Sequence, residues 1–266
     1  KVDMNILSKL TIGQQSIFGL IGAVLLGVLA ITLFVSAKTV ENSYDHQTAS
    51  EIAEVLFGYS TEGREITGAI FGDGEETILL FGGIHGNEKG SSQVLELLTD
   101  ELTEQPEFVG DDVRVIVIPV TNPDGYIDRT DKLNTNGVNL NRNFKTTDWV
   151  RFEDGIDAGI EPFSEIESQI IASIIEQYDV DKMIAYHSQG GLSIPEYTQE
   201  SRDLAAWYAN KTGYQYFDEW DYFGTATRWF EEVHKKPAIT VELTSHYLSD
   251  WAVNRPAILE LIGGIE

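Results

Sequence analysis

Thr77-Ile78-Leu79-Leu80-Phe81-Gly82-Gly83-Ile84-His85-Gly86-Asn87-Glu88 is the stretch on which the reading of this chain turns. Its first five residues form a short apolar run of strand length, and two glycines follow it, as in a turn. The turn delivers a histidine and then a glutamate, with a gap of two that lets both side chains converge on one ion. A distant histidine, His187, completes three donors of the kind that hold catalytic zinc and leaves a fourth position for water. The spacing alone is not diagnostic, because 43 of the 266 residues are acidic. The surrounding sequence has to carry the argument.

Working outward, apolar runs and helical periodicities alternate. Strands are expected over 66–71, 77–81, 113–120, 182–187 and 238–241, and helices over 89–103, 165–177, 202–211, 225–233 and 251–261. Continuous apolar strands flanked by helices imply an α/β fold, a mixed twisted sheet with helices on both faces. On that map His85 follows one strand, His187 ends a second and Glu242 ends a third. Ligands gather at the C-terminal ends of strands in such sheets, so three residues far apart in sequence can meet in one pocket. A glutamate closing an apolar strand is costly unless it is solvated, hydrogen-bonded or functional.

Residues 17–37 are apolar on every face and contain no charge. As a helix they would span roughly 30 Å, the thickness of a bilayer core. A retained transmembrane anchor is expected, with a cleaved signal segment as the rival, since Val35-Ser36-Ala37 resembles a small-residue cleavage site. Lys1 and Lys9 precede the run and Lys38 follows it, which puts segment 1–16 in the cytoplasm and the rest outside. The expectation is a single-pass protein of the cell membrane with a linker over 38–50 and an extracytoplasmic domain over 51–266. The chain has no cysteine, so an exported domain must be held by its core rather than by disulfides. A formal charge of −25 makes nucleic acid an unsuitable partner.

Six ordered motifs carry a resemblance. They are Gly58-Tyr59-Ser60-Thr61-Glu62-Gly63-Arg64, Gly83-Ile84-His85-Gly86-Asn87-Glu88, Asn122-Pro123-Asp124-Gly125-Tyr126, Gly137-Val138-Asn139-Leu140-Asn141-Arg142-Asn143-Phe144, Tyr186-His187-Ser188 and Thr240-Val241-Glu242-Leu243. Together they resemble the zinc carboxypeptidases, and most of all the bacterial branch of murein peptide amidases and γ-D-glutamyl-diamino acid peptidases. The resemblance implies one zinc per chain on His85, Glu88 and His187, with Glu242 as general base. It implies that Asn141 and Arg142 hold the free C-terminal carboxylate of a peptide, for which the planar fork of Arg is suited. Ser188, beside the metal histidine, joins the substrate-binding set.

The resemblance also marks two departures. Asn139 stands where aspartate is common, which touches the orientation of a zinc histidine. Lys132 stands nearest the arginine expected to stabilise the oxyanion, with Arg129 as its competitor; lysine supplies charge there without the fork. Tyr222 corresponds to the family's mobile tyrosine. Arg228, if turned inward, would favour a leaving residue that bears a side-chain carboxylate. The implied function is a membrane-anchored zinc carboxypeptidase whose partner is a peptide with a free C-terminus, drawn from cell-wall stem peptides. Two alternatives stay open: a zinc amidohydrolase of small acylated amino acids, and a non-catalytic peptide-binding module.

Overall fold

The computed structural model describes residues 54–128 and 132–263. The expected anchor over 17–37, its flanks 1–16 and 38–50, and Arg129 lie outside the described residues. Among the described residues, no helix is long and apolar enough to cross a membrane.

An eight-stranded mixed sheet organises the chain. Its strands run β1 (Glu54–Tyr59), β2 (Glu65–Phe71), β4 (Val113–Ile118), β3 (Glu76–Phe81), β7 (Lys182–Ser188), β10 (Ala238–Leu243), β8 (Leu192–Pro195) and β9 (Gln215–Tyr216) from edge to edge. A two-stranded ribbon, β5 (Phe152–Glu153) with β6 (Ile156–Asp157), stands apart. The central strands β4, β3, β7 and β10 are mutually parallel. Parallel strands are covered on both faces, and that is why 77–81, 113–118 and 182–187 read as near-continuous apolar runs.

Alternation along the strands divides the core in two. Ile78 and Leu80 of β3 join α1 (Lys89–Glu104), α4 (Gln199–Thr212) and α6 (Trp251–Gly263) through Leu95, Leu98, Tyr208 and Ile258. Leu79 and Phe81 point the other way, to α3 (Ile166–Tyr178) and α5 (Ala226–His234) through Ile171, Ile174, Ala226 and Phe230. Helices therefore cover both faces, as expected of the α/β class. Leu80 is fully buried, so Leu80→Ala should cost about 2–5 kcal/mol of unfolding free energy in a denaturant titration. A loss below about 1 kcal/mol would mean the site collapses around the void.

The same parity and register place the chemistry. His187 shares its face of β7 with Met183 and Ala185, and Glu242 shares its face of β10 with Ala238. Glu242 and His187 are register partners across the β7/β10 pair, where backbones lie about 4.8 Å apart. Because β3, β7 and β10 run in one direction, their C-terminal ends share one rim of the sheet.

Candidate active site

The loop after β3 bends back over this rim. Gly83 makes the bend at φ +59°, and a Cβ there would come within 2.6 Å of Ser92 Oγ. Gly86 packs so closely on the backbone of α2 (Pro123–Asp128) that a Cβ would meet Gly125 C at 2.1 Å. Asn122 ties the two loops together, its Nδ2 donating to the carbonyls of Ile84 (3.3 Å) and Leu133 (3.2 Å). Asp124 in turn accepts from Ser60 Oγ at 2.7 Å and pairs with Arg64 at 2.6 Å. The Gly58–Arg64 and Asn122–Tyr126 motifs thus brace the histidine loop.

That bracing brings His85, Glu88 and His187 together, all buried. Their ligand atoms lie within 4.8 Å of one another. Glu88 Oε1 stands 2.8 Å from His85 Nδ1, and Glu88 Oε2 stands 3.0 Å from His187 Nδ1 and accepts from the Ser188 amide at 3.1 Å. Burial disfavours the Glu88 anion, yet the charges and hydrogen bonds of His85 and His187 hold its carboxyl well below the usual range. The far nitrogen of His85, Nε2, sits 3.1 Å from Asn139 Oδ1, which turns Nδ1 toward Glu88. Asn139 keeps the orienting contact of an aspartate and loses its charge. Its Nδ2 is buried with no hydrogen-bond partner among the described residues. Two imidazoles and a carboxylate converging on one point fit a zinc ion by donor type and number.

One pocket holds these three residues together with Lys132, Asn141, Arg142, Ser188, Tyr222 and Glu242. Glu242 is nearly buried and its Oε2 has no hydrogen-bond partner among the described residues. Burial pushes its carboxyl up to about 7; Glu88 adds to the rise, while His187 and Lys132 oppose it. Lys132 itself is exposed at the pocket mouth. Arg142 is only 6% exposed and pairs with no carboxylate among the described residues. Burial lowers its guanidinium to about 10 against the pull of Tyr222 and Glu153, so it stays cationic at neutral pH. It donates to the Asn141 carbonyl (2.6 Å) and lies 4.4 Å from the Tyr222 ring centre.

Other expected residues are more committed to the protein. Asn141 Oδ1 accepts from the Ala226 amide at 3.0 Å and its Nδ2 stands 3.3 Å from His187 Nε2. The Ser188 hydroxyl is 2.9 Å from His246 Nδ1. Arg228 does not face the pocket: its guanidinium pairs with Asp148 (2.8 Å) and Asp221 (3.0 Å), lies 3.5 Å from Glu232, and donates to the Tyr222 carbonyl. Three carboxylates outside the pocket hold this cation, so the inward reading of Arg228 is corrected; its place is to hold the Tyr222 loop.

Residues 42–259 match the sequence model of the zinc carboxypeptidase family. The chain belongs to that family. Solved structures with the same fold include carboxypeptidase A from Helicoverpa armigera, at 18% identity and TM-score 0.64 over 80% of this chain. The match spans 66% of that enzyme's chain, just under two thirds of its length. The murein-tripeptide amidase of Escherichia coli O157 is similar at 20% identity and TM-score 0.63, over 81% of this chain and 93% of its own. Bovine thrombin-activatable fibrinolysis inhibitor, solved with a tick carboxypeptidase inhibitor, matches at 17% identity and TM-score 0.67 over 88% and 93%. No curated protein matches the sequence.

The family is zinc-dependent, and the His85, Glu88 and His187 set is this member's candidate zinc centre. The pocket of this family member also has Trp220, Thr225 and Thr240 in its walls, and four further residues that the sequence did not reveal: Gln189, Ile194, Pro195 and Glu196. The last three come from β8, a four-residue strand too short to announce itself by periodicity, and from the residue after it.

Proposed function

We propose that the protein is a zinc carboxypeptidase that hydrolyses the last peptide bond of a chain with a free C-terminus. The observation that supports this most is a single pocket containing a buried guanidinium with no carboxylate partner among the described residues, a glutamate whose Oε2 is unsatisfied among them, and the three-donor metal set. A zinc ion there would supply Lewis acidity, polarising the scissile carbonyl and easing deprotonation of water. Arg142 grips the terminal carboxylate through charge-assisted hydrogen bonds, and the remaining Asn141 amide hydrogen assists it. Glu242 takes a proton from the attacking water at its free oxygen and delivers it to the leaving amine. Lys132 supports the developing negative charge on the carbonyl oxygen from the mouth of the pocket. Tyr222, stacked on Arg142, closes over the bound residue.

The reading extends to place and substrate. Residues 17–37 would tether the domain at the outer face of the cell membrane, and the stem peptides of the wall are the substrates within reach there. Likeness to a murein-tripeptide amidase supports that choice.

Purified protein should carry about one zinc per chain and lose activity to a chelator, because the donor set presumes the ion. Peptides with a free C-terminus should be cleaved and their C-terminal amides left nearly intact. Full activity after exhaustive metal removal, or equal cleavage of acids and amides, would overturn the assignment. Preference for small N-acylated amino acids over peptides would move the protein to the amidohydrolases.

A further inference from the structure

Arg228 is held outside the pocket, but the pocket has a further charged wall in Glu196. It follows β8 and lines the same pocket as Arg142, His187 and Glu242. The antiparallel ladder sets Glu242 opposite Leu192 and Ile239 opposite Pro195. Glu196, one residue further on, is therefore four strand positions from Glu242, or ~13 Å at the usual rise. Glu196 closes the end of the pocket away from Glu242. Ile194, Pro195 and Trp220 line the pocket along with Thr225 and Thr240.

The Glu196 carboxylate lacks a counterion. Its Oε1 accepts from Thr227 Oγ1 at 2.6 Å, and no ion pair reaches it among the described residues. The positive charge of Arg228 is felt there but is bonded to Asp148 and Asp221. Burial pushes the carboxyl up to about 7, and the charges of Glu231 and Glu232 add to the rise while Thr227 and Arg228 oppose it. A recessed acid without a cation is a place where a ligand cation gains most.

We infer that Glu196 selects C-terminal residues with a long cationic side chain, lysine or arginine, by a charge-assisted hydrogen bond at the end of the pocket. The inference rests on the reading of this pocket as the seat of the leaving residue. The apolar wall suits the methylene stem of such a side chain, and the acid suits its tip. A side-chain carboxylate at the same place meets repulsion. Diaminopimelate, which carries both charges, should therefore rank below lysine.

The test compares lysine with norleucine, its counterpart without the ammonium, in calorimetric binding to the zinc-loaded protein and to Glu196→Gln. The wild type should favour lysine by about ten- to a hundred-fold, and Glu196→Gln should bring the ratio near one. A wild-type ratio near one overturns the inference even if the variant fails to fold, and so does an unchanged ratio in a folded variant. Peptides ending in lysine, leucine, glutamate and diaminopimelate then separate the two readings. If none is cleaved while lysine is still preferred in binding, the peptidase reading falls and the Glu196 site stands. Efficient cleavage with leucine, glutamate or diaminopimelate ahead of lysine sinks the Glu196 site and leaves the peptidase.

Discussion

Glu242→Gln is expected to keep one zinc on the chain and to lower kcat on free-acid peptides by about 10²–10⁴-fold, the usual contribution of a positioned general base. Glutamine has the shape of glutamate but cannot take the proton of the attacking water. Two features make the substitution clean. Glu242 is not one of the three converging metal donors, so the ion should stay. Its Oε2 has no hydrogen-bond partner among the described residues, so an amide there disturbs no bond among them. Metal content and single-turnover rates measured on the same preparation decide the matter. A near wild-type rate would require another base, and loss of zinc would place Glu242 among the ligands.

Arg142→Ala should reduce kcat/KM on free-acid peptides by about 2–5 kcal/mol, as expected when one partner of a desolvated charge pair is truncated. An exposed ion pair is worth only about 0–1 kcal/mol. The difference follows from burial: Arg142 is 6% exposed and has no carboxylate partner among the described residues, so a substrate carboxylate would be its counterion. C-terminal amides, which offer no anion, should respond much less. Arg142→Lys should recover part of the loss, since charge returns without the planar fork. Equal losses on acids and amides would show that Arg142 supports the fold instead, through its bond to the Asn141 carbonyl.

Strands β3, β4 and β7 were legible because a strand buried on both faces must be apolar at nearly every position. Helices α1 and α5 were legible because one apolar stripe of each faces the sheet, whereas α6 is apolar around much of its circumference. Strand β1 escaped because at the sheet edge it is half exposed and its sequence is mixed, and β8 because four residues are too few for a period to emerge. The meeting of His85, His187 and Glu242 in one pocket was anticipated from strand ends, and Glu88 joined them through the two-residue gap after His85 and the family resemblance. The bracing by Asn122 and Asp124 was not anticipated, although both lie in the Asn122–Tyr126 motif. Short motifs name residues without saying which of them touch.

Local pattern, then, was enough to set the class of fold, which depends on the period within each strand and helix. The candidate metal donors His85, Glu88 and His187 were pointed to by the resemblance of six motifs, because their spacing alone is not diagnostic. The contents of the pocket were decided only in three dimensions. Arg228 is drawn outward by Asp148, Asp221 and Glu232, and Glu196 is carried to the pocket by a strand that pairs with β10. Which carboxylate neutralises which cation depends on through-space distance and burial, and a charged residue looks the same in sequence whether or not its counterion is near.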